Sequence, residues 1–170
     1  SGENSKNLNN NLLNSKILNK IVFDEIFNCI IISHTRWASV GPVDLHNCHP
    51  LINNIDKKTS FYSMNGDITN YLSLNKKLKS NKDFYLDDKK CTNDLTPLPS
   101  IFIKNKINLL QGSYVIFYHE LKKSNEIKVI KKGSQGLYFS FDNDQNLCFS
   151  SDVYGIVNRT NKFQIIKDDI

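Results

Sequence analysis

The chain is poor in several residue types, and each shortage closes off a class of function. Its net charge is +5, yet it holds only two arginines, Arg36 and Arg159. The surplus is lysine, spread over polar stretches such as Lys76, Lys77 and Lys79, or Lys131 and Lys132. A nucleic-acid surface wants clustered basic groups interleaved with aromatics, so no nucleic-acid partner is expected. The four cysteines, Cys29, Cys48, Cys91 and Cys148, show no CxxC spacing. Free thiols in a reducing compartment, and so a cytoplasmic address, are the expectation. No apolar run approaches the roughly 20 residues of a membrane span, and no signal-peptide pattern opens the sequence. No membrane partner is expected either. His46, Cys48 and His49 offer three ligand types but no fourth at a standard spacing, which argues against zinc. No metal and no cofactor are expected. What remains, at 170 residues, suits one domain with one continuous core.

The chain is organised around residues 33–41, Ser-His-Thr-Arg-Trp-Ala-Ser-Val-Gly. An apolar run, Cys29 to Ile32, leads in and has the length and β-branching of a buried strand. An arginine and the single tryptophan at the mouth of such a strand suit the grip of a small anionic group in a cleft. Each also has a plainer explanation, a surface ion pair for Arg36 and core packing for Trp37.

Residues 1–11 are Asn/Ser/Lys-rich and aperiodic, the mark of a mobile tail or a cloning remnant. Residues 12–170 form the domain. Apolar spacing predicts a helix over 12–27. Phe61 to Met64 reads as a short strand stopped by an Asn65-Gly66 turn, with Asp67 capping a helix over 68–78. Residues 79–92 read as an exposed loop. A helix over about 93–110 would start at a cap formed by Asn93 or Asp94. Strands follow over 113–119, 127–131, 137–141, 147–150 and 163–166, with a helical turn at 152–157 before the last. The pattern is α+β, with an antiparallel sheet region late in the chain.

At this point several motifs agree in order and spacing. His34 to Ser39 followed by Gly41, then His49-Pro50, then Asn65-Gly66, resembles the class II glutamine amidotransferase domain. The similarity is greatest to the glutaminase part of glutamine:fructose-6-phosphate amidotransferases. Thr92-Asn93-Asp94, Gln111 to Tyr114, Gly133-Ser134 and Ser150 to Asp152 keep the family's order, and the resemblance runs from about residue 28 to the C-terminus. It implies an N-terminal-nucleophile hydrolase-like fold, a four-layer αββα sandwich of two antiparallel sheets between helix layers, here missing its first strand. It implies hydrolysis of the glutamine side-chain amide, supplying ammonia to a sugar-phosphate isomerase domain absent from this chain. L-glutamine and L-glutamate are then the implied ligands, and a homo-oligomer the implied full-length form.

Carried over residue by residue, the resemblance makes Arg36 the clamp for the α-carboxylate and Asp94 the partner of the α-amino group. Asn65 and Gly66 become the oxyanion hole, through a side-chain amide and a backbone N–H. Trp37 and Ser39 belong to a loop closing over the ligand, and His49 lines the site. Local readings stand beside these, a helix cap for Asp94 and a common turn for Asn65-Gly66. Val40 and Met64 stand where the family commonly has histidine. The family's nucleophile is an N-terminal cysteine, whereas this sequence starts Ser1-Gly2-Glu3. The nucleophile is absent, and the chain by itself is expected to be inactive. A degenerate, non-catalytic glutamine-binding or regulatory domain and an unrelated α+β interaction domain are the competing readings.

Overall fold

The computed structural model describes residues 10, 14–16, 30–32, 34, 39–123, 125–142, 145–157 and 164–165. Four strands make the first sheet: β1 (Leu51–Ile55), β2 (Lys58–Ile68), β3 (Gly112–Glu120) and β4 (Lys128–Lys132), all antiparallel and in sequence order. Three make the second, in the order β6 (Leu147–Ser150), β5 (Tyr138–Phe141) and β7 (Gln164–Ile165), also antiparallel. The described helices are α1 (Tyr71–Ser80), α2 (Leu98–Ile103) and the single turn α3 (Tyr154–Val157). The architecture is α+β with two antiparallel sheets. No helix among the described residues is long and apolar enough to cross a membrane.

Strand alternation sorts the side chains of the first sheet. Tyr62, Met64 and Ile68 on β2 join Tyr114 and Ile116 on β3 in one buried cluster with Leu95, Leu98 and Ile101. Such period-2 burial puts one face of the sheet on the helix layer. Tyr62 meets Phe102 of α2 edge-on at 5.4 Å between ring centres, and Phe102 stacks on Tyr118 at 4.5 Å. Val115, Leu137 and Ile156 are buried outside that cluster. Phe117 of β3 meets Phe149 of β6 at 5.4 Å, so the two sheets touch through aromatic rings.

Several expected boundaries moved. The strand expected at Cys29 to Ile32 is not seen over described residues 30–32, where Ile31 is exposed; an apolar run alone supplies no pairing partner. Asn65-Gly66 is not a turn. β2 runs through it to Ile68, keeping register with β3 from Ser60↔Glu120 to Ile68↔Gly112. Gly66 has a positive φ of 102° inside the strand, and only glycine fits there, since the Ser113 carbonyl oxygen lies 2.1 Å from where a Cβ would be. Asp67 therefore caps nothing, and α1 starts at Tyr71 after Asn70. The long helix over 93–110 is the short α2, preceded by Pro97, with a separate 3-10 turn at Ile107–Leu109. Neither Asn93 nor Asp94 caps α2, since it begins too far downstream for either side chain to reach its first N–H groups. The helix over 12–27 and the ends of the last strand fall largely outside the described residues.

Candidate active site

The C-terminal half of β2 supplies the floor of a cavity of about 270 Å³. Its lining includes Met64, Asn65, Gly66 and Asp67 from β2, and Ser39 and His49 from the preceding loops. Asp94 comes from the loop before α2, and Gln135 from the connection between the sheets. The volume lies below the roughly 300–1,000 Å³ of sites for drug-sized ligands and suits a small polar molecule.

The loops are pinned from below by one side chain. Asn47, fully buried, accepts from the Thr92 and Asn93 N–H groups through Oδ1 at 2.9 and 3.0 Å. Its amide donates to Asp44 Oδ1 at 3.0 Å, and its own carbonyl accepts from Asn93 Nδ2 at 3.0 Å. A buried carboxamide thus ties residues 44–48 to residues 92–93. His46 and Asp88 add a second tie at 2.8 Å. Slight burial works against the Asp88 charge, but hydrogen bonds from His46 and the Lys90 N–H prevail and hold the carboxyl below its usual range.

Asp94 is buried, and its Oδ2 accepts from the Ile68 N–H at 2.8 Å, so the acid is locked to the end of β2. Across the mouth the Ser39 hydroxyl donates to the Asp67 carboxylate. The Met64 N–H donates to His49 Nδ1 at 3.2 Å, so a neutral His49 ring carries its proton on Nε2. His49 also stacks on His34 at 4.0 Å. Asn65 Nδ2 donates to Gln135 Oε1 at 3.3 Å. One small space therefore holds amide groups, a locked carboxylate and an imidazole. Such a set is chemically suited to a ligand with both a carbonyl and a cationic group.

No family model matches the chain. Individual proteins do. The isomerizing glutamine–fructose-6-phosphate aminotransferase of Clostridium acetobutylicum is 32% identical over 159 residues, which is 88% of this chain and 25% of that protein. The Sulfolobus acidocaldarius protein of the same name is 26% identical over 165 residues, 90% of this chain and 27% of that protein. The chain belongs to the glutamine amidotransferase family. A further relative, the second such enzyme of Mus musculus, is 30% identical over 131 residues, 68% of this chain and 18% of that protein. The chain spans about a quarter or less of the length of these curated relatives.

Of the residues that the amidotransferase resemblance singles out, Ser39, His49, Asn65, Gly66 and Asp94 all line the one cavity. Arg36 and Trp37 lie outside the described residues. His46 and Cys48 turn elsewhere, His46 to Asp88 and the Cys48 thiol to the Asp44 carbonyl oxygen. No cysteine among the described residues lines the cavity. Sequence reading missed Asp67 as a lining residue, because its place before a helix pattern mimics a cap. It missed Asn47 and Gln135 entirely. The one signal for Gln135 was its place between Gly133 and Gly136, which brackets a tight crossover.

Proposed function

We propose that this domain binds L-glutamine by its amino-acid end and presents the side-chain amide for hydrolysis. The observation that carries the reading is the shared cavity, in which Asn65 and Gly66 lie beside Asp94 on the frame of β2. Asp94 takes the α-amino group, Arg36 the α-carboxylate, and Ser39 and Trp37 close the loop over the ligand. Asn65 and Gly66 stabilise the oxyanion formed as the amide is attacked. A single such donor is worth about 3 kcal/mol in the transition state. No cysteine among the described residues lines the cavity, and in this reading the attacking thiolate is supplied from elsewhere in the native protein. The fold in this reading is the four-layer αββα sandwich, and residues 12–170 are the glutaminase domain. Its ammonia serves a sugar-phosphate isomerase domain elsewhere in the protein, for hexosamine synthesis in the cytoplasm by a homo-oligomer.

A second reading, a glutamine-binding domain without catalysis, draws on the lack of a cysteine among the described lining residues. Ammonia release from L-glutamine by the full native protein separates the two. The shared amino-acid site is tested first by calorimetric titration of L-glutamine and L-glutamate. Asp94→Asn keeps an acceptor for the Ile68 N–H and removes the charge, so it should fold normally and lose at least about tenfold in affinity. Arg36→Ala should do the same. Binding untouched by either change would sink the amino-acid clamp.

A further inference from the structure

Residues 133–137 carry the chain from β4 in the first sheet to β5 in the second, and Gln135 sits midway along them. Its Oε1 accepts the hydrogen bond from Asn65 Nδ2 at 3.3 Å. Its stem lies over Gly66, since a Cβ placed on that glycine would come within 2.9 Å of Gln135 Cγ. A single side chain thus stands against both residues assigned to the amide carbonyl of the substrate. That side chain is itself a primary carboxamide on a two-carbon stem, the same group that glutamine would bring.

The geometry points to Gln135 as an internal competitor, a built-in carboxamide that occupies the amide-binding end of the cavity until substrate displaces it. The inference rests on the amino-acid-binding reading above and adds a regulation of that same site. Asn65 has two N–H donors on one nitrogen, and one of them is committed to Gln135. A ligand carbonyl seeking the same nitrogen competes with a group tethered at high effective concentration. The internal contact is long and solvent-accessible, so displacement is easy and the penalty on affinity is modest. The crossover bearing Gln135 depends on how the two sheets pack, which makes the release of this side chain sensitive to the second sheet.

The test is a titration of L-glutamine against the wild-type protein, Gln135→Ala, Asn65→Ala and the Gln135→Ala/Asn65→Ala pair. Gln135→Ala should bind about 3- to 10-fold more tightly than wild type, the range expected when one such hydrogen bond no longer competes. In the Asn65→Ala background the same substitution should gain nothing, because the contested donor is gone. Unchanged or weaker binding by Gln135→Ala, with wild-type binding still lost in Asp94→Asn, would overturn the competitor role and leave the amino-acid site standing. An equal gain in the Asn65→Ala background would also overturn it, reducing Gln135 to a steric plug. Binding by none of the proteins would remove the amino-acid reading and this inference with it.

Discussion

Gly66 is where local backbone chemistry and the candidate site meet. Its φ of 102° and the 2.1 Å approach of the Ser113 carbonyl oxygen exclude any side chain. Gly66→Ala should destabilise the fold by about 3 kcal/mol or more, read as a drop in the urea midpoint. Ser39→Ala, at an exposed position, should change stability by no more than about 0.5 kcal/mol while freeing Asp67 from this contact. The tyrosines carry a second prediction at this scale. Burial first, then the Glu120 charge and its hydrogen bond, push the Tyr118 phenol up to about 12. Burial likewise raises Tyr62, with Ser60 offsetting part of the effect. A phenol whose pKa is higher folded than unfolded favours the fold in its neutral form. The contribution is complete below the unfolded value of about 10 and is lost as pH rises through the folded one. Stability should therefore fall between pH 10 and 12, and Tyr118→Phe should flatten that fall. Ultraviolet titration should show fewer than the seven tyrosines of the sequence ionising before the protein unfolds.

At the scale of elements, β2 supplies the floor of the cavity and the loops around it are stapled to one another, chiefly by Asn47. Asn47→Ala leaves the Thr92 and Asn93 N–H groups without their acceptor, the Asn93 group in a buried place. It should cost about 3 kcal/mol and lower the affinity for amino-acid ligand through displacement of Asp94, whereas Asn47→Asp should restore part of the stability. Such long-range polar ties were invisible in the sequence, because nothing local distinguishes Asn47 from the many other asparagines. β1 was hidden for a related reason. Its inward positions are Leu51, Asn53 and Ile55, and the buried Asn53 accepts from the Asp87 N–H at 2.9 Å. A polar residue at a core position erases the alternation that marks a strand. β3, β5 and β6 were legible to within a residue, since their β-branched and aromatic runs are bounded by turn residues. That Ser39, His49, Asn65, Gly66 and Asp94 come together in one cavity was legible only through motif order. Local pattern made Asn65-Gly66 a turn and Asp94 a cap, and tertiary pairing with β3 and with Ile68 overrode both.

For the whole molecule, the cavity is lined by β2 of the first sheet and, through Gln135, by the crossover that leads to the second. The first sheet has a large buried cluster and a helix layer, whereas the described part of the second has short strands, with Phe141 and Leu147 about half exposed. Their described aromatic contact is Phe117 against Phe149, with Phe139 a further 6.3 Å from Phe149 within the second sheet. Fewer buried apolar contacts mean a lower local opening free energy, so the second sheet should open before the first. Phe149→Ala, at a partly exposed position, should cost about 2 kcal/mol. Its effect on hydrogen exchange should be uneven, with amides of β5 and β6 losing protection and those of β2 and β3 keeping theirs. Because the 133–137 crossover hangs between the sheets, the same variant should loosen Gln135 from Asn65 and raise affinity for L-glutamine despite the loss of stability. Uniform loss of protection across both sheets would mean instead that the domain opens as one cooperative unit. The second sheet would then have no independent hold on the Gln135 end of the cavity.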